Sequence, residues 1–242
     1  MNKIDTNNLP KHIGIIMDGN GRWAKTKGKL RLFGHKSGVK AVRETVEMSA
    51  QIGIKFLTLY AFSTENWSRP KSEVKSLMRL LISSINSETK TLLKNNIKLK
   101  SIGDTNLLPQ DAKEQLNSSI EKTKNNNRMT LILALSYSGR WDIISAVKKI
   151  IKHKITSDKI DEQLFEQYLS TKNVPNPELL IRTSGEYRIS NFLLWQSAYS
   201  EFYFTDTLWP DFRKSDLEKA IIDFQSRERR FGNTVEQKNQ AC

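Results

Sequence analysis

The chain has 242 residues, with 39 Lys and Arg against 26 Asp and Glu and a formal net charge of +13. Its single cysteine, Cys242, excludes a disulfide within the chain and a zinc site built on cysteines. The basic balance favours anionic partners, and it leaves open nucleic acid, acidic lipid and phosphorylated small molecules.

Residues 1–11 are polar and lack an apolar signal region, and no apolar run is long enough to span a bilayer. We therefore expect a cytoplasmic protein. We expect a flexible N-terminal segment at residues 1–11, one domain over residues 12–232, and a flexible tail at residues 233–242.

Apolar runs alternate with helical periods, which predicts a single α/β domain with a mostly parallel six-stranded sheet flanked by helices. Strands are predicted at residues 13–17, 56–62, 97–102, 129–135, 179–181 and 201–204. The longest helix is predicted over about residues 72–95, with a wide apolar stripe. The last helix is predicted to open on a capping box of Ser215 and Glu218 and to end at Gly232.

Segment 15–23 carries the most specific local signal. An apolar strand ends in Asp18, and a helix then follows over Gly19, Asn20, Gly21, Arg22 and Trp23. Glycine N–H groups and the positive end of a helix suit an anion. A carboxylate beside a phosphate is repulsive, so the pairing indicates a bridging divalent cation. The ordinary alternative is a strand and turn in which Asp18 caps the helix.

Polar and aromatic residues also follow the second, fourth and fifth predicted strands, at residues 63–70, 136–141 and 182–188. The carboxyl ends of parallel strands share one edge of a sheet, where ligands bind. Guanidinium groups match phosphate oxygens, and the arginines in or near these loops are Arg22, Arg31, Arg69, Arg182 and Arg188. As a set they predict more than one phosphate group, although each alone could be a solvated surface charge.

Several other enzyme classes lack their signatures here. The chain has no Walker sequence, no full dinucleotide glycine fingerprint after the first strand, no Asp-Asp-x-x-Asp pair and no Gly-x-Ser-x-Gly elbow. These gaps argue against P-loop nucleotidases, dinucleotide enzymes, all-helical prenyl synthases and α/β-hydrolases.

Four blocks, at residues 12–24, 57–67, 181–196 and 227–232, together resemble the bacterial undecaprenyl diphosphate synthases, which are cis-prenyltransferases. The similarity runs from about residue 11 to residue 232. It implies a cis-prenyltransferase fold with an apolar tunnel, and condensation of farnesyl diphosphate with successive isopentenyl diphosphates to undecaprenyl diphosphate, a lipid carrier precursor for the cell wall.

The resemblance also implies residue roles. Asp18 would be the essential acid, binding Mg²⁺ with Glu201, and Asn66 is a position often assigned to proton removal. The allylic diphosphate would contact Gly19, Asn20, Gly21, Arg22, Arg31 and His35, with Trp23 beside its first isoprene units. The reacting centre would be bordered by Ser63, Thr64, Glu65, Trp67 and Arg69. Isopentenyl diphosphate would contact Arg182, Arg188, Ile189 and Ser190.

Family members are usually homodimers, so Arg230 and Gly232 are expected to reach the neighbouring active site. Contact with a membrane surface is expected for product release. Tunnel walls are predicted from the long helix and the strands, at Val74, Leu77, Met78, Leu81, Ile85, Ala61, Met129, Leu131 and Leu133, with ordinary core packing as the alternative.

The chain departs from the family pattern at four positions. Ser136 stands where many members have asparagine, Ser138 and Ser184 replace glycines, and Tyr187 stands where some members have histidine. A direct imidazole contact to isopentenyl diphosphate is therefore not expected at residue 187. Two other functions stay open: a non-catalytic partner subunit of the same fold, which retention of Asp18 and Arg22 disfavours, and a basic nucleic-acid-binding protein.

Overall fold

The computed structural model describes residues 4–229, which form a six-stranded sheet with helices on both faces. The strands are β1 (His12–Ile16), β2 (Phe56–Ser63), β3 (Ile97–Ile102), β4 (Met129–Tyr137), β5 (Leu179–Arg182) and β6 (Glu201–Phe204). The helices are α1 (Asn20–Thr26), α2 (Arg31–Ile52), α3 (Lys71–Lys94), α4 (Gln110–Thr123), α5 (Gly139–Lys152), α6 (Glu162–Tyr168) and α7 (Lys214–Gln225). Short 3₁₀ turns occur at Thr64–Ser68, Thr105–Leu107, Ser157–Lys159 and Trp209–Asp211.

The strand order is β3-β4-β2-β1-β5-β6, and each neighbouring pair is parallel. The central strand β1 is buried at every position, as expected for a strand covered by helices on both faces. The chain moves to one side of β1 for β2 and to the other side for β5. The carboxyl ends of β1 and β5 therefore form the kind of switch point at which parallel sheets bind ligands.

His12 ties the start of β1 to its surroundings. Its Nδ1–H donates to the carbonyl of Pro175 at 2.6 Å, and its Nε2 accepts from the Thr58 hydroxyl at 2.7 Å. A carbonyl can only accept, so the tautomer is fixed. Burial lowers the pKa of His12 to about 4, and the imidazole is neutral at physiological pH.

Two predictions at the ends of the chain can be compared with the structure. The predicted Ser215 and Glu218 capping box is wrong: α7 begins at Lys214, and the Asp216 carboxylate accepts from the Arg213 N–H at 3.0 Å. Flexibility of residues 1–11 stays a prediction, and the structure adds an anchor, because the Gln225 side chain donates to the carbonyls of Asp5 and Asn8.

Candidate functional site

The switch point brings Asp18 and Arg182 together. The Arg182 guanidinium donates to the Asp18 carboxylate at 2.9 Å, and the Gly19 N–H donates to its other oxygen at 2.7 Å. Partial burial favours the neutral acid, but these two hydrogen bonds and the nearby Arg22 hold the pKa of Asp18 below its ordinary value. Asp18 is therefore a carboxylate at neutral pH.

Arg182 joins Asp18 to the loop that follows β5. Its side chain is only 5% exposed. It donates to the Ser190 hydroxyl at 2.7 Å and to the Arg188 carbonyl at 2.5 Å. The planar guanidinium thus holds an acid and two loop oxygens in one geometry, which a lysine could not reproduce.

The turn after Asp18 is fixed by its backbone. Gly19 has a φ of 103°, and a Cβ there would lie 3.0 Å from the Ser184 Cβ and 3.1 Å from the Leu208 Cα. The Asp18 carbonyl accepts from the Thr183 hydroxyl at 2.6 Å. Glycine is needed here because the conformation is left-handed and the space is closed.

Charged side chains surround this turn on two sides. On one side, Arg22 lies 3.1 Å from Glu186, which also pairs with Arg188. On the other side, Arg69 and Arg31 share the Glu73 carboxylate at 3.2 and 4.0 Å. Cations therefore outnumber acids around Asp18, as an anion site requires.

His35 lies half-buried on the second of these sides. Burial, together with the positive charges of Arg69 and Arg31, lowers the pKa of His35 to about 4. The imidazole is thus a neutral hydrogen-bonding group at physiological pH and not a further cation.

Two cavities open beside Asp18, and they share Met17, Asp18, Tyr60, Asn66 and Arg69. The apolar cavity, of about 270 Å³, runs between α3 and the sheet, and its mouth carries Asn20, Gly21, Arg31 and His35. The polar cavity, of about 630 Å³, is lined by groups that include Ser63, Glu65, Arg140, Arg182, Ser190 and Asn191. The two cavities differ in chemistry and meet at one carboxylate and one amide.

Most of the predicted tunnel wall lines the apolar cavity, namely Ala61, Leu77, Met78, Leu81, Ile85, Leu131 and Leu133. Val74 and Met129 do not line it. Val74 borders a separate surface groove, and Met129 is packed in the core with 2% exposure. A tunnel that guides the product stays a prediction.

The turn after β2 places Asn66 between the cavities, and its side-chain oxygen accepts from the Ser63 N–H at 3.3 Å. Trp67 packs edge-to-face on Phe62 at 5.0 Å, and its indole N–H donates to the Ser136 hydroxyl at 2.8 Å. Trp67 therefore anchors the turn that begins at Thr64 and lines neither cavity.

Other predicted site residues are not brought together. Glu201 is the first residue of β6 and pairs in register with Leu179, the first residue of β5. It therefore lies at the amino ends of the strands, whereas Asp18 follows the carboxyl end of β1, and its carboxylate accepts from Arg227 at 2.9 Å. The predicted metal pair of Asp18 and Glu201 is therefore not assembled within the described chain. Trp23 stacks on Phe33 at 5.8 Å and lines neither cavity.

Three further predicted residues are Ile189, Arg230 and Gly232. Ile189 packs against the smaller of the two apolar clusters. Arg230 and Gly232 lie outside the described residues.

Three polar side chains that line the polar cavity were not predicted as site residues, namely Tyr60, Arg140 and Asn191. The Tyr60 ring stacks on Phe192 at 4.5 Å. Arg140 stood in the predicted loop after β4, and its place in the chain was the available signal. Nothing in the local pattern distinguishes Tyr60 or Asn191 from packing residues.

Within residues 4–229, no group of three or more His, Cys, Asp and Glu side chains is placed to hold a metal ion. The ionised, partly exposed carboxylate of Asp18 nevertheless fits Mg²⁺, which binds through one or two carboxylates together with substrate phosphates.

No helix in the described part of the chain is long and apolar enough to cross a bilayer.

Comparison with known proteins agrees with this geometry. A family profile described as putative undecaprenyl diphosphate synthase matches residues 16–232. An isoprenyl transferase of Chlorobaculum tepidum is 57% identical over 95% of this chain and 88% of its own length. A ditrans,polycis-undecaprenyl-diphosphate synthase of Pasteurella multocida, specific for (2E,6E)-farnesyl diphosphate, is 52% identical over 98% of this chain and 100% of its own length.

Two solved structures share the fold. Lavandulyl diphosphate synthase from Lavandula x intermedia, in complex with dimethylallyl diphosphate, superposes with a TM-score of 0.90 at 40% identity, covering 93% of this chain and 99% of that one. A probable undecaprenyl diphosphate synthase from Campylobacter jejuni superposes with a TM-score of 0.79 at 35% identity, covering 93% of this chain and 100% of that one. The switch-point site, the family profile and these relatives together show that the chain belongs to the undecaprenyl diphosphate synthase family of prenyltransferases.

Proposed function

We propose that this protein is an Mg²⁺-dependent cis-prenyltransferase that condenses farnesyl diphosphate with successive isopentenyl diphosphates to give undecaprenyl diphosphate. One observation carries the proposal: an apolar cavity and a polar, arginine-lined cavity meet at Asp18 and Asn66. A condensation needs two different substrates whose reacting carbons meet at one point. The substrate specificity in the name of the Pasteurella relative supports the choice of primer.

The allylic substrate would place its hydrocarbon chain in the apolar cavity and its diphosphate at the mouth. There the backbone N–H groups of Asn20 and Gly21, placed by the Gly19 turn, would donate to it, together with Arg22, Arg31, Arg69 and His35. Neutral His35 contributes a hydrogen bond and adds no charge. Trp23 is assigned to packing of α1, because it stacks on Phe33.

Isopentenyl diphosphate would occupy the polar cavity, with Arg182, Arg188 and Ser190 on its phosphates and Ile189 behind them. Ser63, Thr64, Glu65 and the Trp67 turn would border its reacting end. In the reaction the allylic carbon–oxygen bond breaks, a carbon–carbon bond forms to the isopentenyl double bond, and one proton leaves. Negative charge develops on the departing diphosphate, and pre-positioned arginines stabilise it there.

Asp18 is the residue that would hold Mg²⁺, because its carboxylate is ionised and lies between the cavities. The ion would neutralise charge on the departing diphosphate. Glu201 is left out of this site, because it lies at the other edge of the sheet. Asn66 is proposed to orient the substrate, since an amide is a poor base, and a diphosphate oxygen would take the proton.

The proposed enzyme works as a cytoplasmic homodimer that contacts the membrane surface to release product and does not bind nucleic acid. The support for the homodimer, and for Arg230 and Gly232 at the neighbouring site, is the family resemblance alone. The placement of arginines around an enclosed turn, beside Glu73 and Glu186, suits a pocket better than a nucleic-acid stripe.

The test is incubation with farnesyl diphosphate, labelled isopentenyl diphosphate and Mg²⁺, followed by butanol extraction and mass spectrometry of the lipid. We expect label in the organic phase, loss of it with EDTA, and loss of it in Asp18→Ala. Folded wild-type protein that transfers no label would contradict the proposal and favour a non-catalytic subunit.

A further inference from the structure

Asn191 joins three loops around the polar cavity. Its side-chain N–H donates to the Glu65 carboxylate at 2.7 Å, and its side-chain oxygen accepts from the Arg140 N–H at 3.0 Å. Its own carbonyl accepts from the Gly139 N–H at 2.6 Å. One residue thus connects the turn after β2, the start of α5 and the loop after β5.

The neighbours of Asn191 are the groups that line the cavity. Ser190, the preceding residue, accepts from Arg182, and Arg140 and Glu65 line the same cavity. Ser190 and Asn191 both have left-handed backbones, with φ of 46° and 63°. Asparagine tolerates this conformation better than most residues, but the conformation persists only where the surroundings hold it.

The amide side chain has the polarity that this junction needs. Burial favours the neutral acid at Glu65, but several hydrogen bonds, of which that from Asn191 contributes most, together hold the pKa of Glu65 below its ordinary value. Glu65 is therefore ionised at neutral pH. The Glu65 carboxylate needs a hydrogen-bond donor, while the backbone N–H of Arg140 needs an acceptor. The Asn191 amide offers both from one short side chain, with the donor and the acceptor on separate atoms.

Resting on the function proposed above, we propose that Asn191 is a positioning residue of the isopentenyl diphosphate subsite, whose side chain locks Glu65 and the start of α5 so that Ser190 and Arg140 face the substrate phosphates. It does not act on the allylic subsite, because the apolar cavity is lined without it.

Exchanging donor and acceptor tests this role. Asn191→Asp keeps the acceptor for Arg140 but sets a second carboxylate against Glu65, so we expect the KM and the Kd for isopentenyl diphosphate to rise about tenfold or more, because a charge-assisted bond becomes a repulsion. The KM for farnesyl diphosphate should stay within about twofold. In Asn191→Asp combined with Glu65→Gln, the glutamine amide can donate to the new carboxylate, and most of the loss should be recovered.

Two further variants separate this role from general stability. Asn191→Gly deletes the side chain without backbone strain, and Glu65→Gln should not rescue it. Asn96→Asp is the matched control: Asn96 also has a left-handed φ, 56°, and its side chain donates to Asn127 at 2.8 Å while accepting from the Asn127 N–H at 3.0 Å. Asn96 precedes β3, the outermost strand on the other side of the sheet from β5. Its substitution should therefore leave the KM and the Kd for isopentenyl diphosphate unchanged.

Calorimetric titration with isopentenyl diphosphate and with inorganic pyrophosphate measures binding without turnover. If wild-type protein transfers no label, the proposed function fails, and the titrations still judge Asn191. Unchanged Kd in folded Asn191→Asp and Asn191→Gly would overturn the positioning role, as would failure of Glu65→Gln to rescue Asn191→Asp.

Discussion

Gly34 lets the two helices at the mouth of the apolar cavity pack backbone to backbone. It lies in the first turn of α2, next to His35, and a Cβ built on it would stand 1.9 Å from the carbonyl oxygen of Asn20 and 3.3 Å from the Ala24 Cβ. Ordinary contact begins near 3.4 Å, so Gly34→Ala requires α1 and α2 to separate by about 1.5 Å.

That separation acts on both groups that face the allylic diphosphate. α1 carries Asn20 and Gly21, and α2 carries Arg31 and His35. Displacing positioning groups by about 1 Å costs on the order of 10²-fold in rate. We therefore expect kcat/KM for farnesyl diphosphate to fall about 100-fold, which corresponds to about 2.7 kcal/mol of transition-state stabilisation.

Stability should change less than activity. Alanine favours a helix interior over glycine by about 1 kcal/mol, which offsets part of an overpacking cost of about 1–3 kcal/mol. A net loss of about 0–2 kcal/mol would lower Tm by at most roughly 8 °C in a chain of this size. Circular dichroism melting therefore shows whether the variant is folded in the activity assay.

Gly28→Ala is the control, because a Cβ there meets no atom within 4 Å while φ is +62°. It should lose about 1–2 kcal/mol of stability through backbone strain and keep kcat/KM near wild type. A folded Gly34→Ala enzyme with wild-type kcat/KM would refute the reasoning.

Three further outcomes are expected. Leu131→Trp fills the apolar cavity and should shorten the products seen by mass spectrometry, whereas Met129→Trp should lower Tm by overpacking the core; equal product lengths in wild type and Leu131→Trp would contradict the cavity assignment. Arg182→Lys loses the fork that joins Asp18 to the loop and should lower kcat/KM about 10²-fold, with Lys98→Arg on β3 as an indifferent control. His12 has a pKa of about 4 in the folded protein and 6.5 as the free side chain. The unfolded state therefore binds the proton first as pH falls, and the free energy of unfolding should decrease by up to about 3 kcal/mol between pH 6.5 and 4. Urea unfolding at several pH values should show a smaller dependence of this free energy on pH in His12→Gln than in wild type.

The strands were predictable because each is a run of apolar residues bounded by polar turns. Predicted and observed limits agree within about two residues, and β3 and β6 agree at both ends. Local spacing was less reliable where two matches compete. Ser215 and Glu218 have the spacing of a capping box, but Asp216 closes the turn onto Arg213 two residues earlier.

The apolar cavity illustrates a different limit. Periodicity identifies which face of α3 and β4 is buried, and it placed Leu77, Leu131 and Leu133 on that face. It cannot separate residues that border empty space from those that pack on a neighbour, so Val74 and Met129 were predicted as wall residues although they do not line the apolar cavity.

The sequence by itself determined the fold class, the family and the acidic and basic groups at the strand ends, because these depend on hydrophobic period and on short motifs read along the chain. Only the tertiary structure decided which of those groups meet. It put Asp18 beside Arg182, left Glu201 at the far edge, and brought Asn191 to Glu65 from 126 positions away. Such contacts depend on strand order and register, which are set by packing of the whole sheet and leave no local trace in the sequence.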